Sequence, residues 1–427
     1  MKQISVIIIG CGNRGQRYAD QMAMSLDKYK LVAVADPSKA NRDTITTQFP
    51  YDVAEYNTWE EILEAGRLAD LAVIATVDKL HYAPVMKAIE LGYDLLLEKP
   101  VAPTAQECAD IDLAARKKGV KVLVCHVLRY APFFVKVKEL LMAGTIGEVV
   151  SIDQVEAVGH THYAHSFIRG NWHSEAASAP MILAKCSHDL DMIQWLIDKP
   201  CKQLTSFGSL THFTSANAPE GAPVRCADGG CPVGDTCPYN CLTYYHSDRA
   251  KRHRNAICVG IAKQNPPTEE ELMEALKTRD YGLCVYHCNN DVVDHQVVSM
   301  EFEGGATAQL TMNAFNEGGR YIRIFGTNGE MYAHAKDTKL HIFRLEDHKS
   351  WDVDLPLVDE SIAGGHGGGD QGIVKELYEF LGDDYTGYRA ANITVSVQNH
   401  MLAFAAEESR HNRTVVDMEE FMKRYGV

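Results

Sequence analysis

Val6-Ile7-Ile8-Ile9-Gly10-Cys11-Gly12-Asn13-Arg14-Gly15 sets the reading of the whole chain. An apolar strand runs into a turn with three spaced glycines. Gly10 allows the tight turn off the strand, Gly12 lets the backbone approach a pyrophosphate, and Gly15 lets the following helix pack close to the sheet. A helix starting near Asn13, with Arg14 beside it, aims free N–H groups and a positive dipole end at phosphate. A helix-like stretch, Gln16 to Leu26, leads to a second strand, Leu31-Val32-Ala33-Val34-Ala35, which ends in Asp36. An acidic residue roughly twenty positions beyond such a loop is expected to bond the adenosine ribose. These parts in this order predict a dinucleotide site. Asp36 repels a 2′-phosphate, so NAD is favoured over NADP, with Arg14 and Arg42 as the cations that would offset the repulsion.

About ninety residues on, Leu95-Leu96-Leu97-Glu98-Lys99-Pro100 places a lysine just past a buried strand. The reactive ring of the dinucleotide is expected there. The two segments together argue for nicotinamide redox chemistry.

The 427 residues suffice for two domains with sizeable cores. A hydrophobic content of 46% and a charged content of 23% suit a soluble globular chain. The formal net charge of −15, without long basic runs, argues against nucleic acid and anionic membranes as partners. The local basic cluster Arg249-Ala250-Lys251-Arg252-His253-Arg254 reads as a solvated helix face. No apolar run reaches spanning length. Met1 to Ile9 flows into the glycine loop without a small-residue cleavage site, and cleavage would destroy the cofactor site. A cytoplasmic protein is expected, with its twelve cysteines mostly reduced.

Residues 1 to about 125 alternate strands (3–9, 30–35, 70–75, 93–97, 120–125) with helices (13–26, 39–48, 58–66, 80–91, 104–118). Thr104 is a candidate N-cap with Glu107 at the capping-box offset. This alternation predicts an α/β fold, a parallel sheet covered on both faces, over residues 1–125. From 126 to 427 the pattern becomes β-rich: a helix at 133–143, strands at 147–158, 202–209, 295–303, 306–315, 320–327, 329–335 and 339–344, an amphipathic helix at 180–197, and helices at 370–381 and 390–408. Gly304-Gly305 signals a hairpin. A second α/β domain with an open, mostly antiparallel sheet is expected, with an insertion at about 212–290.

The chain resembles the glucose–fructose oxidoreductase, inositol dehydrogenase and MocA family over nearly its whole length. The resemblance rests on the Gly10–Gly15 loop, Ala75-Thr76 followed by His81, Glu98-Lys99-Pro100, and His188-Asp189-Leu190-Asp191. It implies NAD(P) in the cleft, a sugar or cyclitol substrate, and homo-oligomers, dimeric or tetrameric, through an exposed sheet face. It places the family's catalytic lysine on Lys99 and catalytic histidine on His188, and it adds Ala75, Thr76, His81 and Glu98 to the cofactor site. Members with this helix often carry an aspartate four residues before the histidine; here that position is Ala184, followed by Lys185. Related sugar-active members carry a glycine-rich histidine loop similar to Gly364-Gly365-His366-Gly367-Gly368-Gly369-Asp370, which makes His366 a substrate candidate and leaves Asp370 as a helix N-cap.

Oxidising a secondary alcohol needs a base for the hydroxyl proton and an acceptor for hydride. His188 suits the base, and Lys99 can polarise the oxygen. Lys185, three residues before His188, is expected on the same helix face, where a cation favours the neutral base or binds an anionic substrate group. His126 follows a sheet strand near the expected nicotinamide, and Tyr130 could pack or bind substrate. The segment from His160 to Trp172 is rich in donors and aromatics, as sugar binding requires; Tyr163, His165, Arg169 and Trp172 are its substrate candidates.

Cys226, Cys231, Cys237 and Cys241 follow one another as C-x4-C-x5-C-x3-C amid glycines and prolines, with Cys284 and Cys288 later. A segment poor in apolar residues is not stabilised by burial, and a tetrahedral zinc would supply the missing folding energy. Cys226, Cys231 and Cys237 are the expected ligands, with Cys241 or Cys288 as the fourth. An iron–sulfur cluster, free thiols and disulfides are the other readings.

Three functions are compatible with these residues. The first is an NAD-dependent dehydrogenase of a sugar, sugar derivative or cyclitol. The second is a redox-neutral NAD-dependent glycosidase or lyase, in which a transient oxidation acidifies a neighbouring C–H. The third is a non-catalytic NAD-binding regulator.

Overall fold

Strand β1 (Ile4–Ile9) is almost wholly apolar and buried because it lies in the middle of a sheet covered on both faces. The structure, a computed structural model, describes residues 2–247, 250–262, 266–355 and 368–427. His366 and the glycines immediately before it, singled out from the sequence, lie outside the described residues.

The first sheet adds β2 (Tyr29–Ala35), β3 (Ala54–Tyr56), β4 (Leu71–Ile74), β5 (Asp94–Leu97) and β6 (Val122–Val124). All its pairings are parallel, in the order β3-β2-β1-β4-β5-β6. The order reverses between β1 and β4, and ligands of such sheets bind at the strand C-termini beside that point. Helices α1 (Asn13–Ala23), α2 (Lys39–Thr46), α3 (Trp59–Glu64), α4 (Tyr82–Leu91) and α5 (Ala105–Lys118) connect the strands. Thr104 caps α5 by accepting the Glu107 N–H at 3.2 Å. The Gly119 C-cap takes the left-handed conformation that ends the helix.

After α6 (Pro132–Met142) the chain builds a nine-stranded sheet. Its strands are β7 (Val149–Ala157), β8 (Cys201–Ser209), β9 (His295–Phe302), β10 (Thr307–Asn313), β11 (Gly319–Gly326), β12 (Gly329–His334), β13 (Lys339–Arg344), β14 (Lys349–Asp354) and β15 (Val416–Asp417). They are ordered β14-β13-β12-β11-β7-β10-β9-β8-β15, and β7 with β10 is the parallel pair among otherwise antiparallel ones. The β9–β10 connection turns at Gly304 and Gly305, both with positive φ (82° and 87°), as the two glycines predict.

The amphipathic stretch at 180–197 is not one helix. A single turn, Met181–Ala184, gives way at Lys185 and Cys186 before α7 (Ser187–Ile197) begins. The insertion sits between β8 and β9 and carries helices at Cys241–His246, Lys251–Ile257 and Glu269–Thr278 around a small core of their own. Within the basic cluster the side chains are not all solvated: His253 stacks on His165 at 4.0 Å and Arg254 donates to the Tyr245 carbonyl.

Helices α8 (Gly369–Phe380) and α9 (Ile393–Asn412) come late in sequence but return to the first sheet. Ile373, Val374 and Leu377 of α8 pack into the cluster of Ile8, Tyr29 and Val34, and the Tyr29 hydroxyl donates to the Val374 carbonyl at 2.7 Å. Helix α9 leaves β6 through the Leu123–Asn392 bridge and runs to β8, where Ser409 Oγ accepts the Ser206 N–H at 2.9 Å. Ile373→Ala opens a void in the first sheet's core. It is expected to lower stability by about 2–5 kcal/mol, read as a shifted denaturant midpoint with one cooperative transition.

Candidate active site

The turn off β1 sits directly against the end of β4. Gly10 has φ +92°, and a Cβ there would lie 2.5 Å from the Ala75 carbonyl oxygen. A Cβ on Gly15 would lie 2.0 Å from the Gly10 oxygen, so α1 packs on the turn as only glycine permits. Gly12 differs: a side chain there would meet nothing within 4 Å. That open space lies at the N-terminus of α1, where Gly12 is the N-cap and no side chain caps the free N–H groups. Asn13 and the backbone of Arg14 begin the helix here. The cradle fits a pyrophosphate. Beside it, Asp36 accepts the N–H groups of Cys11 and Ser38, both at 2.8 Å, which fixes the carboxylate at the end of β2.

Two cofactor candidates have other duties. The Arg14 side chain binds Glu98 (Nε to Oε1, 2.5 Å), both oxygens of Asp370 (2.9 and 3.0 Å) and the Tyr18 hydroxyl (2.6 Å). Its charge neutralises buried carboxylates and does not reach for phosphate. His81 is fully buried, and its two ring nitrogens lie 2.7 and 3.1 Å from the carbonyls of Pro100 and Thr76. It braces the loop after β4, carrying Ala75 and Thr76, against the loop after β5.

Lys99 follows β5, and its Nζ donates to the Ala184 carbonyl at 2.8 Å. The residue at the expected carboxylate position therefore contributes its main chain to the lysine. Burial holds the Lys99 ammonium below the ordinary lysine value; Asp78 and Glu98 oppose this, while Lys185 and Arg14 reinforce it.

Four residues after Ala184, His188 occupies the first turn of α7 and is buried. His126, after β6, packs edge-on to His188 at 6.2 Å between ring centroids and to His400 of α9 at 5.7 Å. His400 Nδ1 donates to the Ser396 carbonyl at 2.6 Å while Nε2 accepts the Val101 N–H at 3.0 Å, an arrangement that fixes a neutral ring. Burial pushes His126 down to about 4 and His400 to about 3. Under this trio Asp191 binds Arg129 through two N–H groups at 2.7 to 3.2 Å and accepts from Asn399. Asp191 lies 3.5 Å from His126 Nδ1 without hydrogen-bond geometry.

Lys185 does not share a helix face with His188, because the helix is broken between them. It turns to β7 and pairs with Glu156 at 3.3 Å. Glu156 also binds Arg320 at 2.7 Å, Arg320 binds Asp189 at 2.9 Å, and Asp189 accepts from Gln154 at 2.7 Å. Two carboxylates offset two cations, so Lys185 is not the isolated positive charge expected from its spacing.

Of the substrate candidates after β7, three are structural. Tyr163 is fully buried, and its hydroxyl donates to the Val293 carbonyl at 2.9 Å. Arg169 is buried and donates to the carbonyls of Leu283 and Tyr239, both at 2.8 Å. His165 bonds the Tyr245 hydroxyl at 2.8 Å and stacks on Tyr281 and His253 of the insertion. Trp172 is half-buried, and its indole donates to Asp78 at 2.9 Å, beside Lys99. Tyr130 is buried against α8, its Cβ near the backbone of Gly372. Asp78 and His400 were missed from sequence. Asp78 stands two residues beyond Thr76 in an unremarked loop, and His400 lies in a helix remote in sequence.

Cys226, Cys231, Cys237 and Cys284 line one cavity of about 20 Å³, and the Cys226 side chain also meets that of Cys241. Cys288 turns its sulfur to the Cys284 carbonyl at 3.3 Å, and Cys241 is buried in the insertion's core.

A dinucleotide cradle at a sheet switch point, with a buried lysine and histidine beside it, defines an NAD-binding oxidoreductase. Residues 4–126 match the family described as "Oxidoreductase family, NAD-binding Rossmann fold", and residues 138–418 match its C-terminal alpha/beta domain. The chain belongs to this glucose–fructose oxidoreductase, inositol dehydrogenase and MocA family. It is similar to the oxidoreductase YteT of Bacillus subtilis (strain 168), 25% identical over 372 residues and 83% of each chain. The 2,7-anhydro-N-acetylneuraminate hydratase of Mediterraneibacter gnavus is 27% identical over 49% of this chain and 53% of its own length. The inositol 2-dehydrogenase of Serratia proteamaculans is 25% identical over 46% and 55%. Among solved structures, an oxidoreductase domain protein from Kribbella flavida superposes with a TM-score of 0.70 at 15% identity, covering 98% of this chain and 100% of that one. No described helix is long and apolar enough to cross a membrane.

Gly12→Ala adds a methyl group to open space and should leave the melting temperature of the free protein unchanged while weakening NAD binding. Gly15→Ala forces α1 off the turn and should lower stability by about 1–3 kcal/mol; thermal shift with and without NAD separates the two. His126 and His400 are neutral in the fold but titrate near 6.5 in the unfolded chain. The unfolded chain then binds more protons, so their effect on stability is favourable above pH about 6.5 and is lost as pH falls toward about 4. Urea midpoints should drop over that window, and less steeply in His400→Gln.

Proposed function

We propose that the protein is an NAD-dependent oxidoreductase of a secondary hydroxyl on a sugar, sugar derivative or cyclitol. The observation that carries this is the 2.8 Å bond from Lys99 Nζ to the Ala184 carbonyl, which joins the end of β5 to the segment leading into His188. NAD, held by the Gly10–Gly15 turn and Asp36, would supply the acceptor for hydride from the carbinol carbon. His188 takes the hydroxyl proton and the C–O bond becomes a carbonyl. Lys99, with its ammonium destabilised by burial, donates a hydrogen bond to the developing oxyanion and shares its proton readily. His126 and His400 back His188 with uncharged rings, and Trp172 with Asp78 supplies an aromatic face and an acceptor beside Lys99.

The preference for NAD over NADP is supported by the two nearest arginines. Arg42 is bound to Glu55 at 2.9 Å and Arg14 to Glu98 and Asp370, so neither side chain is left to meet a 2′-phosphate beside Asp36.

A second reading, redox-neutral cleavage through transient oxidation, elimination, water addition and reduction, is favoured by two observations. The aspartate position is Ala184, and two relatives are named 2,7-anhydro-N-acetylneuraminate hydratase. Purified protein with NAD and a panel of polyols, cyclitols, free sugars and aryl glycosides distinguishes the two. Net NADH with a free alcohol is the expected result. Aryl release that needs NAD but leaves no NADH would establish the second reading, and absence of NAD binding by calorimetry would overturn both. Lys99→Met and His188→Ala should each lower kcat/KM by about 10²–10⁴-fold while NAD still binds.

A further inference from the structure

The cysteine cavity plays no part in the redox chemistry. The helical half of the insertion is stabilised by its own apolar cluster, including Tyr245, Ile257, Leu272 and Leu276. The half before it, residues 218–240, holds one short turn, Cys226–Asp228, and is otherwise irregular. What organises it is the far side of the insertion: Arg225 bridges Leu283, the Cys284 N–H donates to the Val224 carbonyl at 2.9 Å, and Arg225 donates to the carbonyls of Leu276 and Arg279. This clamp brings Cys284 to the wall already formed by Cys226, Cys231 and Cys237. The remaining wall is largely apolar, with Pro219, Val233 and Val285, and neither a carboxylate nor an imidazole lines it. Its volume, about 20 Å³, is on the order of the space that one water takes up.

Four thiols on one largely apolar cavity wall match the donor set of a tetrahedral, structural zinc site. We propose that Cys226, Cys231, Cys237 and Cys284 bind one zinc ion that fixes the insertion. Binding forms four Zn–S bonds and releases four protons, leaving a net charge of about −2, beside which the Arg169 guanidinium lies. The four sulfurs do not bring three of their number within 4.8 Å of one another. Among the described residues only Glu175, Glu407 and His411 bring three ligand atoms within 4.8 Å, and Arg410 already neutralises that set. A tetrahedral thiolate site has S···S edges of about 3.8 Å, so zinc binding would draw the four sulfurs inward.

The site has a route to the crevice. Arg169 donates to the carbonyls of Leu283 and Tyr239, next to Cys284 and close to Cys237, and its segment ends at Trp172, which bonds Asp78 beside Lys99. Zinc loss should therefore loosen the Trp172 side of the crevice without touching the dinucleotide cradle.

The full-length protein, purified under reducing conditions, is expected to contain about one zinc per chain by elemental analysis, and cobalt exchange should give the visible spectrum of a tetrahedral thiolate site. Zinc should protect Cys226, Cys231, Cys237 and Cys284 from alkylation, mapped by mass spectrometry, and a chelator should expose them. Cys284→Ser should abolish the cobalt spectrum, and Cys241→Ser and Cys288→Ser should keep it. Failure of the reduced protein to take up zinc by equilibrium dialysis would overturn the proposal. So would protection of a different set of cysteines, or bound iron with sulfide. Alkylation is mapped on the unaltered chain, so the protection pattern decides the question even where Cys284→Ser misfolds.

Discussion

One guanidinium holds two buried carboxylates, and the geometry of the crevice follows from that. Glu98 and Asp370 are 5% and 3% exposed, lie far apart in the sequence, and share Arg14 as counter-ion. Removing one partner of such a pair leaves an uncompensated charge in low dielectric, which costs about 3–5 kcal/mol. The trio ties α1, the end of β5 and the start of α8 to one point. Glu98 also accepts the Lys99 N–H at 3.0 Å, so the peptide that carries the lysine is set by the same ion pair. The orientation of Lys99 is thus a consequence of how the fold buries charge.

The crevice beside it is built from groups with their charge managed in different ways. Lys99 carries a weakened proton, His126 and His400 are held neutral, and the cations of Lys185 and Arg320 are absorbed by Glu156 and Asp189. A main-chain carbonyl, that of Ala184, holds the lysine in place. A neutral acceptor fixes the ammonium in place without stabilising its charge as strongly as a carboxylate would.

Much of the architecture was legible because it is written locally. The glycine loop, Asp36, the alternation of strands with helices and the two-glycine hairpin each follow from backbone needs of a few adjacent residues. Strands β3 and β14 were not. Ala54-Glu55-Tyr56 is a three-residue edge with two exposed side chains, and Lys349–Asp354 is polar nearly throughout. The break before α7 was hidden by an apolar pattern that continues through it. Motif and fold coincide at Gly10, Gly12, Lys99 and His188, which lie at the turn after β1, after β5 and on the first turn of α7. The site was misread where composition stood in for geometry: Tyr163 and Arg169 have the right chemistry for a sugar, but the core and the insertion use them. Only the fold joins His400 to Val101, 299 residues apart.

Helix α9 is a spar of twenty residues, about 30 Å long. Its start is bonded to β6, its middle ties His400 to the chain just after Lys99, and its end is pinned to β8. A helix fastened at both ends and in the middle resists relative displacement of the two sheets, so the placement of the chain after Lys99 against the second sheet is set by backbone attachments rather than by the loops around the crevice.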